Sequence, residues 1–443
     1  MKLRVRFEGG VYPGACFFLV GLASYGCGSS GAVSGDAGSS DAPTNGQDSS
    51  DTGSGSLGDS SSGDSSSTTP LEDATVGVEA GSPDSGGNAD STTPDSATTR
   101  DSGGASADTG TPAPDDGGVA IDPSLLSKCS GSSPIACHFG GPVGNYDVTV
   151  ELGGAAAGDT SVMAEISRQM LAPIATSAGE TTKYTMVVNV RSPEGQPVAD
   201  LGSKPSGLDL YFWGNNGASA RLSGIGYAAA TVPTPVVVYL ATDSTGCDQT
   251  DTAYAGWGQW LPQYFTSPIS IANYGNSGVD SPGFEGGSAY WGAIQPLLTS
   301  KDFLLIELGD NDKTDSASQI TDALTAMVTG TKAKGATPIL MTPANRATFS
   351  GTTVNPYTTG NVPTIMKQIG AAQNVTLLDL TTRTTEWEQQ LGPNGWHPYF
   401  AYDNSTDTYD STHFNQAGAS IVAGFVRDLM QEANVPVLTN YMR

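Results

Sequence analysis

Apolar and polar positions alternate with a period of two through residues 142–232, as strands with one buried face require. Tyr146-Asp147-Val148-Thr149-Val150-Glu151-Leu152 is the cleanest case; 183–190 and 208–213 behave alike, and 162–171 reads as a further strand. Pro193, Gly195, Pro197, Gly202 and Gly207 punctuate these runs with turn chemistry. Short strands without a helical period predict an antiparallel β-sandwich. Past Pro233 the pattern changes. Val236-Val237-Val238-Tyr239-Leu240-Ala241 is continuously apolar, as a strand covered on both faces must be. Similar runs recur at 269–272, 303–308, 338–341 and 375–380, with helical periodicity between them at 317–334 and a final helix at 417–432. This alternation predicts an α/β three-layer fold with a parallel sheet, whose ligands sit beyond the carboxyl ends of the strands.

The first quarter of the chain belongs to neither pattern. Residues 28–120 carry 16 acidic side chains against Arg100 alone, and no Phe, Tyr, Trp, Ile, Met, Cys or His. Such a tract has too little apolar surface to offset its conformational entropy, so a disordered linker is expected there. Before it, Lys2, Arg4 and Arg6 precede an apolar stretch at 11–23 and then Ser24-Tyr25-Gly26-Cys27. This reads as an export signal with a bacterial lipoprotein cleavage box and a lipid on Cys27; an ordinary cleaved signal is the alternative. The stretch is too short to span a bilayer. The expected divisions are therefore 1–27, 28–120, 121–233 and 234–443. The net charge of −26 argues against nucleic-acid binding. An oxidising compartment favours pairing of Cys129 with Cys137 across the turn-forming Gly131-Ser132-Ser133-Pro134, which leaves Cys247 over.

Candidate chemistry lies at the strand ends. The run 236–241 is followed by Thr242-Asp243-Ser244-Thr245, where a serine at a strand-to-helix turn would present its hydroxyl at the sheet edge. Asp410-Ser411-Thr412-His413 has a spacing that lets the carboxylate reach the imidazole Nδ1. Asn276-Ser277-Gly278 and Gly309-Asp310-Asn311-Asp312 follow two other runs and offer the amide donors that an oxyanion needs. Ser244, Gly278, Asn311 and His413 are separated by 34, 33 and 102 positions. With three histidines and no H-E-x-x-H, a zinc hydrolase is disfavoured.

Five blocks in order, 239–249 (YLATDSTGCDQ), 256–265 (GWGQWLPQYF), 272–281 (ANYGNSGVDS), 308–312 (LGDND) and 410–418 (DSTHFNQAG), resemble the SGNH (GDSL-type) hydrolases, within them the rhamnogalacturonan acetylesterase group. The region 146–238 also resembles the β-domain that precedes the catalytic domain in some of these proteins. The resemblance implies Ser244 as nucleophile, His413 as general base and Asp410 as its orienter. It implies an oxyanion hole from the N–H groups of Ser244 and Gly278 with the Asn311 side chain, and no metal or organic cofactor. Its substrate would be an acetylated polysaccharide or oligosaccharide. Two departures stand out: Thr242 replaces a glycine and would be strained if φ there were positive, and Asp310 replaces a histidine. Asp310 and Trp257 are candidates for the substrate cleft. Trp260 is another aromatic for the cleft or the core. Lys301, Lys313, Arg346 and Lys367 are the cations available for an anionic polymer. Cys247 reads as a packed helix-start thiol, Asp243 as support for the nucleophile turn, and His138 and His397 as structural or exposed. A general short-chain esterase and a glycan-binding lipoprotein without turnover are the competing readings.

Overall fold

The computed structural model describes residues 118–198, 206–230, 235–250 and 253–443. The expected export signal, Cys27 and nearly all of the expected linker lie outside them. The first half is all β: β1 (Cys129–Gly131), β2 (Ile135–Gly140), β3 (Gly144–Gly153), β4 (Gly158–Ala164), β5 (Arg168–Thr176), β6 (Thr181–Val190), β7 (Gly207–Gly214) and β8 (Leu222–Ala229). They form two antiparallel sheets, ordered β1-β2-β7-β4-β5 and β6-β3-β8. Phe139, Val162, Leu171, Leu210 and Phe212 of one sheet meet Val148, Val150, Leu152, Met186, Val188 and Ile225 of the other in a single core. The alternation along 146–152 places those apolar side chains inside, which is why β3 runs straight through the middle of its sheet. The segment 162–171 is not one strand. Glu165 and Ser167 take positive φ (54° and 52°), and the chain reverses between β4 and β5. The turn contains no Gly or Pro, so the pattern did not announce it. Cys129 and Cys137 are disulfide-bonded across the β1–β2 register.

The second half opens with β9 (Val236–Thr242), then a one-turn α1 (Trp257–Trp260), β10 (Ile269–Asn273), α2 (Ser281–Gly286), α3 (Trp291–Ile294), β11 (Phe303–Glu307), α4 (Ala317–Ala333) and β12 (Thr337–Met341). A small hairpin, β13 (Phe349–Ser350) with β14 (Thr353–Val354), leads to α5 (Val362–Gln373), β15 (Thr376–Leu378) and α6 (Leu380–Gly395), which breaks at Gly392-Pro393. A second hairpin, β16 (Phe400–Asp403) with β17 (Thr408–Phe414), precedes α7 (Gln416–Glu432). The apolar run 375–380 is thus shorter as a strand, because Asp379 caps α6 by accepting from the Thr382 N–H.

The sheet is parallel, ordered β10-β9-β11-β12-β15. Val238 and Leu240 of β9 face a core made with α7, while Val237, Tyr239 and Ala241 face one made with α4 and α5. Two covered faces explain the continuously apolar strands. The chain leaves β9 toward β10 on one side and then crosses to β11 on the other, so the crevice of this topology opens at the end of β9. The two halves share a polar seam. Arg168 of β5 is buried, donates to the carbonyls of Asn189 (2.7 Å) and Ile271 (3.4 Å), and with Arg191 faces Asp248 (3.5 and 3.9 Å). Among the described residues no helix is long and apolar enough to cross a membrane.

Candidate active site

At the end of β9, Asp243 accepts backbone N–H bonds from Gly246 (3.3 Å) and Cys247 (3.0 Å), which closes a turn around Ser244. No helix follows directly, contrary to the expected strand-to-helix turn. The chain instead returns so closely that a Cβ on Gly256 would lie 2.0 Å from the Cys247 carbonyl oxygen, and Asp248 is pulled toward the seam. Cys247 is a buried free thiol, but it sits in this turn and not at a helix start. Ser244 is 6% exposed. Its Oγ stands 2.8 Å from His413 Nε2, and His413 Nδ1 stands 2.6 Å from Asp410 Oδ2. The other Asp410 oxygen accepts the N–H groups of Thr412 (2.7 Å) and His413 (3.2 Å), so the carboxylate is locked to the tip of β17. Tyr254 lies edge-on to the imidazole at 5.6 Å. Residues 169 positions apart in sequence thus form one hydrogen-bonded chain, in which a hydroxyl can pass its proton to an oriented imidazole.

The loops after β10 and β11 are tied to each other and to the nucleophile turn. Gly278, in the loop after β10, has φ +78°, a conformation that favours glycine. Asn311 Nδ2 donates to the Val279 carbonyl (3.1 Å), which ties the loop after β11 to that of Gly278. Gln249 Nε2 donates to the Ser244 carbonyl (2.8 Å) and lies 3.4 Å from Ser277 Oγ, tying the nucleophile turn to it as well.

The segment 241–421, which contains all of these groups, matches the GDSL-like lipase/acylhydrolase family. Rhamnogalacturonan acetylesterase RhgT of Bacillus subtilis (strain 168) is 30% identical over 217 residues, 46% of this chain and 93% of that protein. A probable rhamnogalacturonan acetylesterase of the same strain, YesY, is 29% identical over 46% of this chain and 97% of its own length. The chain belongs to the GDSL-like lipase/acylhydrolase family. It is a carboxylic ester hydrolase. The crystal structure of YxiM from Bacillus subtilis aligns over 68% of this chain and 81% of its own, with 23% identity and a TM-score of 0.43.

Both departures from the family pattern are accommodated. Thr242 closes β9 in extended backbone and is absent from the positive-φ positions, so it is unstrained. Its side chain fits because its neighbours lack one: a Cβ on Gly275 would sit 2.1 Å from Thr242 Oγ1. Asp310 does not line a cleft. It is 3% exposed, and Arg346 donates to its Oδ1 through Nε (3.3 Å) and Nη2 (3.2 Å) and to its carbonyl through Nη2 (3.0 Å). The Asp310 N–H donates to Asp243 Oδ2 (3.0 Å), while Thr245 donates its N–H to Asp243 Oδ1 (3.1 Å). Glu307, at the end of β11, lies within 3.3 Å of Thr245 Oγ1 and accepts the Ala344 N–H. Burial first, then the Asp310 charge, pushes the Asp243 carboxyl up to about 7; burial raises Glu307 well above the carboxylate range. For His413 burial works against the imidazolium, but the hydrogen bond and charge of Asp410, with Asp243 and Asp310, outweigh it, and the pKa rises.

Other expected residues fall elsewhere. Trp257 is fully buried in the core between the sheet and α7, and Trp260 packs against the same core; both serve packing. Lys367 is paired with Asp379 (2.6 Å) and Arg346 with Asp310, so neither is a free cation beside the site. His138 bonds Asp209 (2.7 Å). His397 stacks on Tyr409 at 4.3 Å, on the hairpin that carries Asp410. Among the described residues no group of three His, Cys, Asp or Glu side chains is arranged to hold a metal ion. Glu307 is signalled in the sequence only as a carboxylate within an apolar run, Gln249 only as the last residue of the block 239–249, and Gln196 not at all.

Proposed function

We propose that this esterase removes O-acetyl groups from a polysaccharide through an acyl-serine intermediate, with Ser244 as nucleophile, His413 as general base and Asp410 as its orienter. The observation that carries the reading is the unbroken chain Ser244 Oγ–His413–Asp410 at 2.8 and 2.6 Å. The rhamnogalacturonan acetylesterase names of RhgT and YesY supply the substrate class. Ser244 Oγ attacks the acetyl carbonyl carbon as its proton passes to His413 Nε2. Negative charge gathers on the carbonyl oxygen, toward the N–H groups of Ser244 and Gly278 and the amide of Asn311. The carbon–oxygen bond to the sugar breaks, and His413 returns the proton to the departing hydroxyl. Water then attacks the acyl carbon, gives a proton to His413, and acetate leaves as Ser244 recovers its own. No metal or organic cofactor enters this scheme. Arg346 and Lys367 are occupied by carboxylates, which favours recognition through sugar hydroxyls over charge. The amino-terminal reading belongs to the same proposal: an exported protein, tethered by a lipid on Cys27, with 28–120 as the leash.

The test is acetate release from acetylated rhamnogalacturonan and from p-nitrophenyl acetate by the full chain and by Ser244→Ala. Release from the polymer that falls at least about 10⁴-fold in Ser244→Ala supports the whole reading. Ser244-dependent turnover of the small ester alone would shift the reading to a general short-chain esterase. A folded protein inert on both would favour a glycan-binding role.

A further inference from the structure

The loop that carries Gly278 is held from both halves. Within the α/β half the Asn276 N–H donates to the Thr242 carbonyl at 3.1 Å, Asn311 Nδ2 donates to the Val279 carbonyl at 3.1 Å, and Ser277 Oγ lies 3.5 Å from Cys247 Sγ. Further restraints come from residues 196–198, which follow β6 of the sandwich. Gln196 Oε1 accepts the Ser277 N–H at 2.8 Å. The Val198 N–H points to Asn276 Oδ1 at 3.4 Å, and the other end of that amide, Nδ2, donates to the Ser277 carbonyl at 2.9 Å. The Ser277 carbonyl and the Gly278 N–H belong to one planar peptide and point in opposite directions. Whatever holds that carbonyl therefore aims that N–H. Gln196 also faces the nucleophile turn: its Nε2 lies 3.4 Å from Gln249 Oε1, and Gln249 Nε2 donates to the Ser244 carbonyl at 2.8 Å. A Cβ built on Gly278 meets no atom within 4 Å, so hydrogen bonds and not packing at that position set its place.

We infer that Gln196 of the β-sandwich is a positioning residue for ester hydrolysis, holding the Gly278 loop in register with the nucleophile turn through the Ser277 N–H and through Gln249. The inference rests on the proposed roles of Ser244 and Gly278. It makes the sandwich part of the catalytic apparatus, whatever else it binds. An oxyanion acts through donors already aimed at where charge will develop, so a loosened loop should lower the rate of the chemical step and leave ground-state binding of a small ester nearly untouched.

The experiment uses the full chain and p-nitrophenyl acetate, with Gln196→Met, which keeps the length of the side chain but removes its acceptor and donor. Ser270→Ala is the control. It breaks another seam contact, Ser270 Oγ to Asn145 Oδ1 (2.7 Å), without touching the loop. Removing an oxyanion donor outright costs about 10²–10³-fold, so a misaimed donor should cost about tenfold in kcat. The expected result is that loss in Gln196→Met with KM within about twofold, an equal slowing of inactivation by diethyl p-nitrophenyl phosphate, and wild-type rates in Ser270→Ala. Wild-type kcat in Gln196→Met, a change confined to KM, or the same loss in Ser270→Ala would overturn the inference while leaving Ser244 as the nucleophile. Turnover that persists in Ser244→Ala, or none in the wild type, would remove the proposed function and this inference together.

Discussion

The sandwich and the α/β half both bury charged side chains, but at opposite kinds of place. Between its sheets the sandwich is apolar, and its buried Arg168 and Arg191 turn outward to meet Asp248 across the seam. In the α/β half, Asp243, Glu307 and Asp310 are buried together around the nucleophile turn at the carboxyl edge of the sheet, and Glu388 is buried against Asn345. Burying a carboxylate works against stability unless it is paired or protonated. The α/β half does so beside Ser244, with Asp310 paired to Arg346. The sandwich keeps Glu165 against the Asp209 N–H and turns Arg168 and Arg191 toward its neighbour. Neither half can be understood as a module simply joined to the other.

The largest expected break in the comparison is at Asp410. Asp410→Asn should lower kcat about 10³–10⁴-fold with little change in melting temperature, because the wrong imidazole tautomer is held in an intact fold. Residual activity should also move in pH. His413 must be neutral to accept the serine proton, and its pKa lies above the ordinary imidazole value of about 6.5. The acid limb of kcat/KM should therefore fall above pH 6.5 in the wild type and shift to lower pH in Asp410→Asn, which lacks the raising carboxylate. A limb below 6.5 in the wild type would contradict the arrangement.

Next is the seam. Asp248→Ala leaves two guanidinium groups facing each other in a buried place and should destabilise the fold by about 3–5 kcal/mol, read by urea denaturation. If the sandwich and the α/β half then unfold in separate transitions, the seam is what couples them. A smaller effect, a few kcal/mol at most, belongs to Glu388. Burial pushes its carboxyl up to about 8, against about 4.5 unfolded, so the folded state holds more protons across that interval. Stability should fall as pH rises from about 4.5 to about 8 and level off above it. Glu388→Gln keeps the acceptor for Asn345 Nδ2 (2.8 Å) without the charge, and should melt higher than the wild type at pH 8 but not at pH 4.5. The smallest effect sharpens the contrast from the other side. Replacing Cys129 and Cys137 by serine opens a short loop far from Ser244, and should cost about 2 kcal/mol of stability with kcat unchanged.

Much of this was readable along the chain. Period-two alternation announced β3, and continuous apolar runs announced β9 to β12, because both report which faces a strand buries. The turn at 165–167 was invisible, since its residues adopt positive φ under tertiary pressure without Gly or Pro. Trp257 and Trp260 read equally as cleft or core because composition does not say which side of an aromatic faces solvent. Asp310 read as a departure from the family pattern and a cleft candidate because its partner, Arg346, lies 36 positions on.

Local order in the chain was enough for the element types, the family blocks and the choice of Ser244, Asp410 and His413, which the fold brings together, since each depends on its neighbours in sequence or on spacing that a known pattern repeats. The left-handed backbone of Gly278, the pairing of Asp310 with Arg346, and the contact of Gln196 with the Ser277 N–H came from the folded molecule alone. The last two depend on distances between residues some 36 to 81 positions apart, and hydrogen bonds and charges act over a few ångströms of space, whatever the separation along the chain.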